Sequence, residues 1–313
     1  MGVAAFLGAG KAQEARGFLG WLLYASRLQR PRLPSLLTLN GRHVPRERER
    51  VDWPGYAGSV PVRFGNGAAD QHQLDGYGWV IDAAWVLVQA GRRLYGETWR
   101  TMRAFADLVA QRWSEPDAGI WEIRGGPAQL VHSKLMAWLA LDRALQIADT
   151  HRVRPAQRTR WTVARDAIAA EVRERGFDPA KASYTRDYGS TELDAALLLL
   201  PVIGLDDPDS PRVHGTIAAI RDELSAGGPL LFRYPPGRDG LPGPRAPSCR
   251  APSGWYRPSP APDGWTRRWR CSRSCSTAPA HSASTPRRWT RPRACTSATT
   301  RRPSPTPPSS RPP

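Results

Sequence analysis

Cysteine is missing from the first 244 residues; all four, Cys249, Cys271, Cys275 and Cys295, lie beyond them. Disulfides therefore do not staple the body, and the spacing of the four fits no zinc-binding pattern, so no metal is expected. There is no basic N-terminal region followed by a long apolar run, and no stretch reaches the roughly 18 apolar residues that a membrane span requires. A clear alternating strand pattern is absent as well. These absences set aside the disulfide-scaffold and membrane classes and predict a soluble, cytoplasmic, all-α protein.

A second set of absences marks residues 245–313, which contain no Leu, Ile, Val, Phe, Met, Lys, Asn, Gln or Glu. The same 69 residues hold 14 Arg against one acid, Asp263, and so carry most of the net charge of +17, leaving the body nearly balanced. The vocabulary is almost wholly Ser, Pro, Thr, Ala, Arg, Gly, Trp and Cys, whose codons carry G or C at the second position. A GC-rich gene read one nucleotide out of frame yields that vocabulary, so the tail reads as a frameshift product and is expected to be disordered. The alternative is a genuine basic, Pro-rich segment that binds nucleic acid or an anionic surface.

Within the body, helical periodicity runs over residues 67–91, 97–113, 128–150, 156–175, 191–202 and 211–226. Two shorter helices flank Gly10, the second (13–27) with Phe18, Leu19, Leu22 and Leu23 on one stripe. A Pro-, Arg- and Gly-rich connector spans 28–66. Short loops alternate with long Gly- and Trp-rich ones at 113–127, 176–190 and 227–244. That alternation predicts paired helices whose long loops gather at one end, where function is expected.

The sharpest motif is EPDAGIWEIRGG at 115–126, which sets a carboxylate, Glu122, beside an indole, Trp121, and a guanidinium, Arg124. An aromatic face stacks on the apolar side of a sugar ring, Arg binds hydroxyls, and a carboxyl near Trp can have its pKa raised enough to act as an acid. From the residues alone, Glu122 pairing with Arg124 over a core Trp121 accounts for the motif equally well.

The segments PVRFGNGAADQHQLDGYG, DAGIWEIRGGPAQLVHSKLMAWLALDRAL, YGSTELDAALLLLP and FRYPPGRDGLPGP resemble consecutive motifs of glycoside hydrolase family 15, which includes glucoamylases, glucodextranases and actinobacterial trehalases. The resemblance runs from about Val3 to Pro244. It implies an (α/α)6 toroid of the six-hairpin glycosidase type, here incomplete, with residues 1–244 a partial catalytic domain and 245–313 the tail. It also implies an inverting exo-α-glucosidase that uses no cofactor and takes an oligosaccharide or disaccharide α-glucoside, with neither nucleic acid nor membrane as partner. Glu122 then corresponds to the general acid, Trp121 lines the sugar subsite, and Arg233 binds substrate hydroxyls. Asp75 matches a further family position, although a polar residue at a helix start is often a cap. Lys134 and Asp142 fit a solvated helix face, and His132 a satisfied core or rim histidine.

The family's usual upstream β-sandwich and its WxYRxxWxRDA motif have no counterpart in this sequence. The general-base Glu of an AE(E/Q)xD loop would be encoded across residues 286–288 in the other frame. Inverting hydrolysis needs two carboxyls roughly 6.5–9.5 Å apart on opposite faces of the sugar. The chain as written is therefore expected to be inactive and to fold poorly, with a non-catalytic glycan-binding remnant as the alternative; Glu192 and Asp194 are the nearest substitutes for the base.

Overall fold

The computed structural model describes residues 2–27, 30–42, 44–55, 58, 60–123, 125–227, 230–235 and 249–250. It is mostly helical. Helix α1 (Gly2–Gly8) and α2 (Ala12–Ala25) are separated at Gly10, whose φ of +75° ends the first. α2 buries Ala15, Leu19 and Leu23, an i, i+4, i+8 line, whereas Phe18 is 43% exposed. The inward stripe is thus narrower than the sequence implied, and Phe18 stacks on Trp21 at the surface with ring centroids 6.0 Å apart.

The centre is built from α3 (Asp75–Gln89), α4 (Gly96–Arg112), α5 (Val131–Ala148) and α6 (Pro155–Arg175). α3 packs on α5 and α4 packs on α6, so successive helices alternate between two layers, the arrangement of an (α/α) hairpin array. α5 is buried almost all round, which its run of Val131, Leu135, Met136, Leu139, Leu141 and Ile147 permits. The two helices come close at Gly78 of α3, where an added Cβ would lie 2.6 Å from the Met136 carbonyl oxygen. Any larger residue there would push the two inner helices apart.

Three short antiparallel ladders accompany the helices. β1 (Arg48–Arg50) pairs with β2 (Val62–Phe64), β3 (Phe177–Asp178) with β4 (Ser183–Tyr184), and β5 (Leu230–Leu231) with β6 (Cys249–Arg250). Strands of two or three residues are too short to show an alternating pattern, so they escape a periodicity reading. The 67–91 pattern also divides, into a 3-10 turn at Gly67–Asp70 and then α3. Likewise 191–202 resolves into a 3-10 turn, Ala195–Leu199, running into α7 (Leu200–Ile203), and the body closes with α8 (Pro211–Glu223). Among the described residues no helix is long and apolar enough to cross a membrane. Of the tail, only residues 249–250 are described, where they pair with β5; 245–248 and 251–313, on which the expectation of disorder mainly falls, lie outside the described residues.

The long loops converge as the helical pairing required. Val131 N donates to Arg186 O, Tyr188 N to Gln129 O, and Ala195 N to Arg233 O, joining the segments that follow α4, α6 and α8. The segment between the 3-10 turn and α3 joins the same end, where Gln71 Nε2 donates to Ile123 O and Ala118 N to His72 O.

Candidate functional site

The loop between α4 and α5 is closed at its base by reciprocal backbone bonds between Asp117 and Ala128, at 2.8 and 2.9 Å. Asp117, fully buried, then organises everything around it. Its Oδ2 accepts from Leu74 N at 2.8 Å, and its Oδ1 accepts from Gly119 N at 2.8 Å and from Ser133 Oγ. One carboxylate thus fixes the start of α3, the turn of the loop and the first turn of α5. Gly119 takes φ +77°, and a Cβ there would meet the Leu130 side chain at 2.4 Å, so the turn favours glycine. Asp117 was not singled out from the sequence; its place two residues before a glycine in a loop was the available signal.

That turn presents Trp121 and Glu122. The Trp121 indole Nε1 donates to Asp194 Oδ1 at 2.7 Å, while the Arg233 guanidinium lies 5.2 Å from the indole ring centre and Tyr234 sits edge-on at 6.5 Å. Glu122 has φ +54°, a left-handed backbone that a side chain with a Cβ adopts at a cost. Its Oε2 accepts from Asn66 Nδ2 at 3.0 Å. Four of the residues expected at the site, Trp121, Glu122, Arg233 and Asp75, fall on the elements that meet here; Arg124 lies outside the described residues, and with it the pairing to Glu122.

Asp75 is the first residue of α3 and 7% exposed; Leu74 ahead of it offers no side-chain cap. Its Oδ1 has no hydrogen-bond partner among the described residues. Burial, then the neighbouring Asp117 charge, and more weakly Glu122, push its carboxyl up to about 6 against backbone N–H groups that pull the other way. Asp194 is likewise pushed up to about 6 by burial, opposed by its bonds from Trp121 and Ala196. It caps the 3-10 turn that follows. Glu192 pairs with Arg186 at 2.9 Å. Both substitutes considered for a base are therefore occupied in holding the loops.

Three expectations need correction. His132 is buried, but among the described residues neither ring nitrogen meets a hydrogen-bond partner, and desolvation lowers its pKa to about 4. Lys134 is not on a solvated face: it is fully buried, its Nζ donating to Trp113 O and to Glu115 O at 2.8 Å, and burial brings its pKa down to about 8. Asp142 is mostly covered too, bound by Arg143. α5 is an inner helix in contact on every side, which its sequence spacing did not reveal.

A cavity of about 10 Å³ lies among Trp121, Leu130, His132, Ser133, Arg186 and Asp194. That is room for about one water, so it backs the Trp121 wall and does not seat a sugar. Among the described residues no cluster of three or more His, Cys, Asp or Glu could hold a metal ion.

Comparison with known proteins bears on the family and the fold. The family described as Glycosyl hydrolases family 15 matches residues 2–246. A trehalase of Thermoplasma acidophilum is 39% identical over 189 residues, covering 60% of this chain and 32% of that protein. A trehalase of Mycobacterium tuberculosis is 33% identical over 224 residues, covering 72% of this chain and 32% of that protein. The chain thus spans about a third of the length of these curated relatives. Solved structures titled as a wild-type glycosidase and a glycosidase in complex with glucose superpose with a TM-score of 0.53 at 21% identity, covering 74% of this chain and 60% of theirs, which establishes the shared fold.

Proposed function

Because the chain belongs to glycosyl hydrolases family 15, we propose that it carries the acid half of an inverting α-glucosidase site of the trehalase kind, with Glu122 as the general acid. The observation that carries the reading is the posture of Glu122: a carboxylate held in a left-handed backbone at the tip of a loop and tied by Asn66. Backbone strain of that sort persists where the surroundings over-determine it, and it gathers at sites of function. Similarity to proteins named trehalases favours α,α-trehalose as the substrate over starch-type oligosaccharides.

In this reading Glu122 gives its proton to the glycosidic oxygen as the C–O bond breaks, the bonding pair staying on that oxygen. Trp121 forms the apolar wall beneath the sugar ring, and its bond to Asp194 keeps the indole from rotating. Arg233, whose Nε has no partner among the described residues, binds sugar hydroxyls together with Arg124. The base that activates water is not supplied by Glu192 or Asp194, both held by neighbours. The chain is therefore read as binding an α-glucoside without turning it over.

Calorimetric titration with trehalose, maltose and maltotriose, alongside assays for released β-glucose, tests this. Binding of trehalose that is lost in Arg233→Ala, without glucose release, is the expected result. Failure to bind any of the three sugars would refute the assignment, and release of two α-glucose per trehalose with no β-glucose would refute inversion.

A further inference from the structure

We propose that Asn66 is the positioning residue of Glu122 and that it designates Oε1 as the oxygen from which the proton leaves. The inference rests on Glu122 being the acid. Asn66 stands just before the 3-10 turn with an extended backbone, and its side-chain Oδ1 accepts from Ala68 N at 2.8 Å. A carboxamide is planar and has one oxygen. With that oxygen committed to the cap, only the NH2 group faces away, and its Nδ2 lies 3.0 Å from Glu122 Oε2. The direction of the donor is thus set by a backbone cap two residues along the chain.

The cap is itself well anchored. Phe64 pairs with Arg48 across the β1–β2 ladder, and Asn66 N donates to Pro45 O at 3.4 Å. Gly65, at φ +78°, lets the chain pass so close to the 45–46 backbone that a Cβ would sit 2.3 Å from Pro45 O. Glu47 Oε2 then accepts from Gly67 N at 3.2 Å while its other oxygen pairs with Arg63 at 3.4 Å. The hairpin in the connector, which no part of the proposed site otherwise uses, therefore acts as the stand on which Asn66 is mounted.

The chemical consequence concerns the two oxygens of Glu122. An oxygen that accepts from an amide N–H is not the one that carries the acidic hydrogen, so the proton sits on Oε1. When the O–H bond at Oε1 breaks and the proton passes to the glycosidic oxygen, a full negative charge appears on the carboxylate. The bond from Asn66 then becomes charge-assisted and stronger. Asn66 assists the transfer without touching the sugar, because its interaction grows in the transition state.

The test uses the chain itself with labelled Asn and Glu side chains. In Glu122→Gln the Asn66 NH2 resonances are expected to move away from their wild-type positions, since the acceptor of Nδ2 changes. In Asn66→Asp, which keeps an equally good cap acceptor but replaces the donor with an acceptor, the Glu122 side chain is expected to lose its order in relaxation measurements while the fold persists. Asn66→Ser, which keeps a hydroxyl cap and is too short to reach Glu122, is expected to show the same loss and serves if Asn66→Asp fails to fold. Asn66 resonances indifferent to Glu122, or an equally ordered Glu122 in both variants, would overturn the proposal. Failure of the chain to bind any of the three sugars would instead overturn the acid reading and leave the coupling between the two side chains standing.

Discussion

Replacing Glu122 by glycine and by alanine separates backbone strain from side-chain loss, and the two variants should differ in a sign that is unusual for proteins. Both remove the carboxylate and leave Asn66 Nδ2 without its acceptor, so that cost cancels in the comparison. What remains is the conformation, φ +54°. A residue with a Cβ in the left-handed region costs about 1–2 kcal/mol, and glycine does not incur this. Against this, alanine restricts the unfolded chain and recovers about 0.4–1 kcal/mol. The net expectation is that Glu122→Gly is more stable than Glu122→Ala by about 1 kcal/mol. In a helix or strand the order is reversed by roughly 0.5–1 kcal/mol. For a domain of this size the difference amounts to about 2–4 °C in Tm. Parallel urea and thermal unfolding of the two variants at one pH measures it. An alanine variant as stable as the glycine one, or more so, would refute the claim that the loop holds Glu122 in a strained posture.

The buried carboxyl of Asp75 titrates at about 6 in the fold and at its ordinary value of 3.8 once unfolded, so ionisation above 6 destabilises the fold and that penalty disappears as pH falls below 3.8. Asp75→Asn should therefore raise stability at pH 8 by up to about 3 kcal/mol and have little effect near pH 3.5, as read from urea midpoints; a pH-independent change would contradict the burial argument. His132 works in the other direction: its imidazole titrates at about 4 in the fold against 6.5 unfolded, so stability present above 6.5 is lost as pH falls through that window. His132→Leu should remove about 2–3 kcal/mol of the acid sensitivity between pH 7 and 4.5, and an unchanged pH profile would show that the ring is hydrated. Asp117→Ala strands the donors at Leu74, Gly119 and Ser133 together and should cost about 4 kcal/mol or more, each unmet buried group contributing about 1–3 kcal/mol; a loss under 1 kcal/mol in chemical unfolding would show that the loop does not depend on it.

Much of the helical body was legible because burial repeats locally. Trp99, Met102, Phe105, Ala106 and Val109 recur at three- and four-residue steps, and α4 spans Gly96–Arg112 against the expected 97–113. The loop motif at 115–126 was legible through its residue types, and Trp121 and Glu122 do stand where the long loops meet. The stabilising centre of that loop was not. Asp117 sits in the same motif, yet nothing in the string distinguishes a carboxylate that accepts from three elements from one that faces solvent. Lys134 shows the same gap, since a lysine on a helix is usually solvated and only the packing of α5 against α3, α4 and α6 makes it an inner residue.

By itself, the sequence determined which stretches become helices, where the long loops fall and which chemical groups the central loop carries, because those follow from spacing along the chain and from the hydrogen-bonding of neighbouring residues. Only the tertiary structure decided how these groups are used. Asn66 reaches Glu122 across 56 residues and Trp121 reaches Asp194 across 73. Such pairings come from closing the fold, in which each helix finds its partner by shape and burial. No local period encodes them, so the direction of a carboxylate, the protonation of buried Asp75 and Asp194, and the choice between a solvated and an enclosed lysine are set when the chain is packed.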